Sequence, residues 1–432
     1  MLCPERSGCH LFGIVLFLVA GLGLSGVAEA AESHAHGQVV GASVADLLTL
    51  AKKMNPELLA SRLDADAAAA RVAGAGVLPN PKLQMTLEDV SKNRDGLPGR
   101  VATEKFLMQQ ELPWWGKRDS QRTIAEAENR EALGKLADVE ADIALRIKTA
   151  YADYHRVHLT MDQTEEWIQI MRTLVRMAQF RYAQNRAMQS EVTTAEAERG
   201  ALEVDKVRLG KERSRIRARL NALVNRAPDA PIVEHPELRP LPAAEILDYA
   251  KLLERALRDN PVQSMVAARA DAVDENQRLV EKGWYPDITL GMGLVQRRNP
   301  EEKDSFEAQV ELTLPVPWDG YRARQREAVA RNGAVQAQLQ AEHVRIASTL
   351  KENLLSLEEA REVAQVTENT LMPQARMALQ SALKSYQTGS TESVAVLDAA
   401  QRLKKFQIDW LKAQFEAQIR LAEVERLIGG DL

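Results

Sequence analysis

The residues able to do chemistry in this chain are few and badly grouped. Its seven histidines include two close pairs. His34 and His36 lie in a polar N-terminal stretch, and two histidines supply at most half of a tetrahedral metal site; a solvent-exposed tail is the plainer reading. His155 and His158 stand i, i+3 along a helical run, with no cysteine and no clear third ligand beside them. Gly116-Lys117 lacks the P-loop glycine five residues earlier, where Glu111 stands, and Arg118 replaces the required Ser or Thr. Both cysteines, Cys3 and Cys9, fall in an N-terminal leader, and nothing places serine, histidine and aspartate together. The sequence therefore reads as no enzyme, with no metal site and no cofactor.

The leader itself is a secretory signal over residues 1–30. Arg6 precedes an apolar run from Leu11 to Leu24, and Ala28-Glu-Ala30 supplies small residues at the cleavage positions. The run, about 14 residues, is short of the roughly 20 that span a bilayer. The mature chain is then expected to carry no thiol, no disulfide and no cysteine at its start to take a lipid. No other apolar run approaches the length of a membrane helix, so any crossing must use strands.

The formal charge of −5 gives no electrostatic case for nucleic acid, and 45% hydrophobic residues over 432 positions can bury a sizeable core. Aromatic residues make up only 5%, beside abundant Ala, Leu, Glu, Gln and Arg. That is the composition of long packed helices.

Those helices and the strands between them come twice. Gln110-Glu-Leu-Pro-Trp-Trp-Gly-Lys-Arg-Asp-Ser-Gln-Arg122 returns as Leu314-Pro-Val-Pro-Trp-Asp-Gly-Tyr-Arg-Ala-Arg-Gln-Arg326, with Pro113, Trp114 and Gly116 matching Pro317, Trp318 and Gly320. Asn55-Pro56 likewise matches Asn260-Pro261, and Pro81 matches Pro286. Repeats this long mark a duplicated domain and not a solenoid. The expected divisions are a mobile segment over 31–43, a first copy over 44–227, a proline-rich extended linker over 228–243 and a second copy over 244–432.

Each copy opens with a helical segment, Val44 to Gly74 or Leu252 to Val280, and continues with two alternating runs. Leu83, Met85 and Leu87, then Phe106, Met108 and Leu112, alternate with polar residues. In the second copy Ile288, Leu290, Met292 and Leu294 do so, then Phe306, Ala308, Val310, Leu312 and Leu314. This period of two suits a half-buried sheet or a membrane β-barrel. Polar links 91–99 and 296–304 read as exposed hairpin loops.

Pro-Trp-x-Gly then reads as a strand-to-helix junction: proline removes a ladder donor, glycine permits a sharp turn, and tryptophan suits the border between apolar and wet surroundings. Beyond it a helical run extends from Gly116 to Asn185, and from Gly320 to Gly389 with Pro373 as a point of kinking. Ile143, Ile147, Ala150, Tyr154, Val157, Met161, Thr164, Ile168, Met171, Val175, Ala178 and Tyr182 keep a 4,3 spacing, a heptad seam. Leu339, His343, Ile346, Leu350, Asn353 and Leu357 begin a looser one. Returning helices Val192 to Val224 and Val394 to Leu427 close each copy as a helical hairpin. Asn185 and Gly389 sit at equivalent tips, where both residue types accept the left-handed conformation that ends a helix.

One chain offers four strands, which in lipid would leave open edges, so a membrane reading forces oligomerisation. The duplicated helix, strand pair, Pro-Trp-x-Gly junction and Tyr-x-x-Asn or Tyr-x-x-Gly tip (Tyr182 to Asn185, Tyr386 to Gly389) resemble the TolC-like outer membrane efflux protein family over essentially the whole mature chain. The Gln110 to Arg118 form is most similar to members serving heavy-metal pumps of the resistance-nodulation-division type. The resemblance implies a mainly α fold with a transmembrane β-barrel: a homotrimer whose twelve-stranded barrel sits in outer membrane lipid and continues as a long α-helical periplasmic tunnel. It also implies a passive duct, partnered by a periplasmic adaptor and an inner-membrane pump.

On the same resemblance, Arg181, Tyr182, Asn185, Tyr386, Gly389 and Ser390 would meet the adaptor, and Glu191, Glu392 and Asp398 would line a periplasmic gate. Carboxylates about 8 Å apart in water repel by only roughly 0.5 kcal/mol per pair, so a charge ring filters while helix packing closes. Export of organic compounds or proteins through the same duct stays open, as does, in a different class, a periplasmic coiled-coil scaffold. The matched amphipathic strands speak against the scaffold.

Overall fold

The computed structural model describes residues 39–88, 90, 101, 103–234, 237–298, 302–316 and 318–432. The leader, His34, His36, the loop 91–99 and Pro317 lie outside the described residues.

The first copy contains α1 (Val44–Met54), α2 (Pro56–Gly74), β1 (Lys82–Glu88), β2 (Thr103–Leu112), α3 (Lys117–Ala183) and α4 (Gln189–Leu223). The second contains α5 (Tyr249–Asp259), α6 (Pro261–Lys282), β3 (Asp287–Arg297), β4 (Ser305–Thr313), α7 (Trp318–Val366), α8 (Met372–Thr388) and α9 (Ser393–Leu427).

The single helical segment expected at the start of each copy is two helices, because the residue before a proline is pushed out of the helical region. Asn55 and Asn260, both extended, end one helix and cap the next. Asn55 Oδ1 accepts from the Glu57 and Leu58 amides at 2.8 and 3.1 Å, and its Nδ2 donates to Leu223 O at 2.8 Å. Asn260 repeats this with the Gln263 amide at 3.0 Å and Leu427 O at 2.9 Å. Each asparagine thereby ties the start of its copy to the last turn of the returning helix.

The strands form one antiparallel sheet in the order β1-β2-β3-β4. Its register aligns Met85, Phe106, Leu294 and Phe306 in one row and Leu83, Met108, Met292 and Ala308 in the next, so one face is apolar. That face is open to the surroundings, Phe306 being 90% exposed. The opposite face is polar except at Leu107 and the buried Val295, and Leu107 lies across Gly291 and Gly293. A Cβ on Gly293 would fall 2.7 Å from Phe106 O and 3.1 Å from Leu107 Cδ1, so only glycine fits there.

α3 is one unbroken helix, roughly 100 Å long at about 1.5 Å per residue. Its seam is buried from Ile143 to Ala178 apart from the half-buried Met161, while Tyr182 at its end is exposed. In the second copy the seam starts later than expected: His343 is exposed and meets Gln263 of α6, and the buried positions begin at Ile346. The kink expected at Pro373 takes the form of a π-helical turn, Thr367–Leu371, joining α7 to α8. The wider turn accommodates a residue that lacks an N–H and whose ring would strike the carbonyl four residues back.

The core is strung along the bundle. One cluster joins α3, α4, α8 and α9 near the tips, and separate clusters lie where α1, α3 and α4, and α5, α7 and α9, converge. The linker contains no helix over 228–234 and 237–243, and it is packed down: Ile232 is buried and bridges Val40. Arg239 binds Glu425 of α9 at 2.7 and 2.9 Å.

Candidate functional site

Two regions carry the residues singled out in the sequence: the hairpin tips and the junctions at the base of the sheet. At the tips, Asn185 has φ +56° and Gly389 φ +83°, both left-handed, so the turns reverse where the sequence placed them. The Arg186 amide donates to Arg181 O at 2.9 Å and the Ser390 amide to Ser385 O at 2.9 Å, closing equivalent turns.

Arg181 and Glu191 both reach from the first hairpin tip to the second. Arg181, on the last turn of α3, donates from Nη1 to Tyr386 O at 2.9 Å and to Thr391 O at 3.4 Å, both in the second hairpin. Its guanidinium carbon lies 4.3 Å from the centre of the Tyr386 ring, a cation–π contact. Nη2 donates to Arg186 O at 3.2 Å, holding the arginine to its own turn.

Tyr386 is fully buried beneath that arginine. The expectation that it meets a partner is corrected: no side-chain surface is left to offer, and the ring supports the tip from inside. Its hydroxyl lacks a hydrogen bond of ordinary geometry. Burial pushes the phenol up to about 12; the nearby Glu191 carboxylate adds to the rise and Arg181 opposes it. Tyr182, Asn185, Gly389 and Ser390 remain exposed at the extreme end.

The acidic candidates separate into two kinds. Glu191 is half-buried between the hairpins. It accepts from the Met188 amide at 3.4 Å in its own turn and from the Ser393 amide at 3.3 Å at the start of α9, where a carboxylate complements the helix N-terminus. Glu392 and Asp398 are exposed. Asp398 pairs with Arg402 one turn on at 2.8 Å, an exposed contact worth only a few tenths of a kcal/mol, about 0.3.

At the base of the sheet the first junction runs from β2 into α3. Gly116 has φ +78° and turns the chain into α3. Trp114 stacks on Tyr285 with ring centroids 5.3 Å apart and planes within 5°. Its amide donates to Asp287 Oδ1 at 2.7 Å, and Lys117 Nζ reaches the same oxygen at 2.8 Å. Lys117, the would-be P-loop lysine, is thus a strut between the copies.

The second junction differs. Helix α7 already begins at Trp318, Gly320 lies inside it with open space where a Cβ would be, and Trp318 is exposed. In the first copy Trp114-Trp115-Gly116 forms a turn against the second copy, whereas in a single chain no third copy is there for Trp318 to meet.

Among the described residues no group of three or more His, Cys, Asp or Glu is placed to hold a metal. His158 is buried with its ring edge-on to Tyr154 at 4.6 Å. No helix of the described residues is long and apolar enough to cross a membrane.

Sequence reasoning passed over one cluster. Glu425 of α9, 1% exposed, accepts from Lys148 of α3 at 2.8 Å, from Arg239 of the linker at 2.7 and 2.9 Å and from the Leu432 amide at 3.1 Å. Asp431 also binds Lys148, and its carboxyl is held below the usual range against the cost of burial. The one signal was a glutamate inside the small, apolar seam of Ala417, Leu421, Ala422 and Val424.

The sequence profile of the outer membrane efflux protein family matches residues 47–226 and 252–430, one match in each copy. The cobalt-zinc-cadmium resistance protein CzcC of Cupriavidus metallidurans is 24% identical over 390 residues, 88% of each chain. Among solved structures, the outer membrane protein VceC of Vibrio cholerae superposes with a TM-score of 0.78 at 21% identity, covering 90% of this chain and 97% of that one. CusC, described in terms of transmembrane channel formation, superposes at 0.77 with 14% identity, covering 91% and 94%.

Proposed function

Because the chain belongs to the outer membrane efflux protein family, we propose that it is the outer membrane duct of a tripartite efflux system, passing heavy-metal cations outward. It is an outer membrane channel protein with a large periplasmic helical portion, and it is not an enzyme. The observation that carries the duct reading is the sheet: a continuous apolar face open to the surroundings, a polar face behind it, and two edges left unpaired in one chain.

Such edges cannot stand in lipid, where each unsatisfied backbone group costs several kcal/mol, so the sheet closes with other copies. Three copies make a twelve-stranded barrel with lipid outside and water inside, continued by the helices as a tunnel. A scaffold that never enters a membrane would have no use for an exposed apolar sheet face.

The tips form the periplasmic end. Arg181 holds the two hairpins of each protomer together, and Glu191 caps across the same gap; packing of the hairpins keeps the tunnel narrow. Glu392 and Asp398 supply the exposed negative charge that favours cations at the constriction. A periplasmic adaptor, docking on Tyr182, Asn185, Gly389 and Ser390, releases the closure, and an inner-membrane pump of the resistance-nodulation-division type supplies the energy. The metal cargo rests on the likeness to a cobalt-zinc-cadmium resistance protein along 88% of both chains.

Single-channel recording in planar bilayers tests this reading, comparing the wild type with a Glu392→Ala, Asp398→Ala double variant. A low, cation-selective conductance that rises or loses selectivity in the variant is expected. Selectivity unchanged by the substitutions places the filter elsewhere, and refolded protein that forms no channel overturns the duct.

A further inference from the structure

The second hairpin is hollow where the first is filled. Residues of the two hairpins correspond at one offset, since Gly116, Asn185 and Leu223 match Gly320, Gly389 and Leu427 (320 − 116 = 389 − 185 = 427 − 223 = 204). In the first hairpin Arg156 of α3 bridges the two helices: it donates to Asp153 at 2.7 and 2.9 Å and to Glu212 of α4 at 2.6 Å. The matching positions in the second hairpin are Ala360, Leu357 and Glu416. The arginine is gone, and a cavity of about 640 Å³ lies there between α7, its π-helical turn and α9, with Ala360 and Glu416 in its wall.

The core is interrupted at the same level. One buried cluster, with Leu357, Ala360, Ala417 and Leu421, ends on one side of the cavity. The tip cluster, with Ala375, Leu379, Ala400 and Leu403, begins on the other. The volume is of the size that takes a small molecule, and π-helical turns are frequent at functional sites.

The walls suit a ligand with an apolar body and a positive charge. Val363, Thr367 and Leu371 stand at i, i+4 and i+8 along α7 and its π-turn, and Phe406 lines the same space from α9. Thr367 is 4% exposed, and its hydroxyl has no hydrogen-bond partner among the described residues. Asp409 of α9, half-buried in the wall, has neither an ion pair nor a hydrogen bond among them, whereas its counterpart Asp205 accepts from Lys404 at 3.1 Å. A buried hydroxyl and a half-buried carboxylate without partners cost free energy that a ligand carrying donors would recover. Glu416 is already engaged by Arg420 at 2.6 Å, and Glu359, Lys405 and Lys412 are exposed at the rim. Asp409 is therefore the inner carboxylate left to hold a cation.

We propose that this cavity binds a small organic cation, a guanidinium or amidinium on an apolar body. The cation donates to Asp409 and to the Thr367 hydroxyl, and the body lies against Val363, Leu371 and Phe406. The ligand supplies to the second hairpin the bridging cation that Arg156 supplies to the first.

Equilibrium dialysis against the assembled mature protein in detergent tests this, with phenylguanidinium as the probe and phenylurea, its neutral isostere, as the control. Phenylurea should bind about tenfold more weakly or worse, the worth of one hydrogen bond to a charged group, and Asp409→Asn should bring phenylguanidinium down to the same level. Ala360→Arg supplies the first hairpin's side chain from within and should abolish binding. A thermal melt establishes whether that variant folds, and the nearly isosteric Asp409→Asn decides the matter if it does not. Phenylguanidinium that fails to bind the wild type overturns the proposal. Equal binding of the two probes overturns the recognition of charge, and binding undiminished in Asp409→Asn overturns the site. Binding to dissociated chains that disappears in the assembled protein means that a second copy covers the groove, which overturns it as a ligand site.

Discussion

Arg181→Ala removes the cationic side chain that spans both hairpin tips, and its effect can be worked from the contacts. The bond to Tyr386 O at 2.9 Å is a hydrogen bond from a charged donor, worth about 2 kcal/mol. The cation–π contact at 4.3 Å adds about 1 kcal/mol, and the 3.4 Å approach to Thr391 O adds little. Their sum, about 3 kcal/mol in each protomer, shifts a two-state equilibrium by about a hundredfold. If the tips close the tunnel, the substitution should raise mean single-channel conductance and open probability without lowering the yield of assembled protein. Arg181→Lys keeps the charge and loses the planar fork, so it should fall between the two. Arg181→Ala channels with wild-type conductance, selectivity and open probability would refute the reasoning, because the contact would then hold nothing that gates.

Tyr386 gives a pH test at the same place. Its phenol, pushed up to about 12, stays protonated in the folded chain after the unfolded chain has ionised near pH 10. The stability it contributes is fully present below about pH 10 and lost as pH rises toward 12. Tyr386→Phe should flatten that fall, and with no ordinary hydrogen bond to lose, it should change stability at neutral pH by under about 0.5 kcal/mol; thermal unfolding across pH checks both. Away from the tips, Glu425→Ala leaves Lys148 and Arg239 without their shared buried carboxylate. A loss of about 3 kcal/mol is expected, at the low end for a broken buried pair since Asp431 still faces Lys148. Unfolding in denaturant should show it, and Glu425→Gln should lose less because a polar acceptor remains.

Much of the fold was legible because its signals are local and periodic. The 4,3 seam from Ile143 to Ala178 specified a buried stripe on α3, and alternation specified an apolar sheet face. Asn185 and Gly389 marked the turns by the conformations those residue types tolerate. Asn-Pro at 55–56 and 260–261 was read as a landmark of repetition, yet it also breaks a helix, which the proline rule alone implied. The reach of each asparagine to the far end of its copy was not visible, since Leu223 and Leu427 lie more than 160 positions away.

What the sequence by itself determined is the repeating unit, its faces and its turns, because periodicity and backbone tolerance act within a few residues. Only the tertiary structure decided which face meets which neighbour. It put Tyr386 under Arg181 instead of at the surface, turned Glu191 inward as a cap across two hairpins, and gathered Lys148, Arg239 and Glu425 from three separate segments. It also made the two junctions unlike, Trp114 stacked and Trp318 exposed. The reason is physical: a pattern states how much surface must be buried, while charge pairing and ring stacking depend on where remote segments arrive. That arrival is fixed by the packing of the whole bundle.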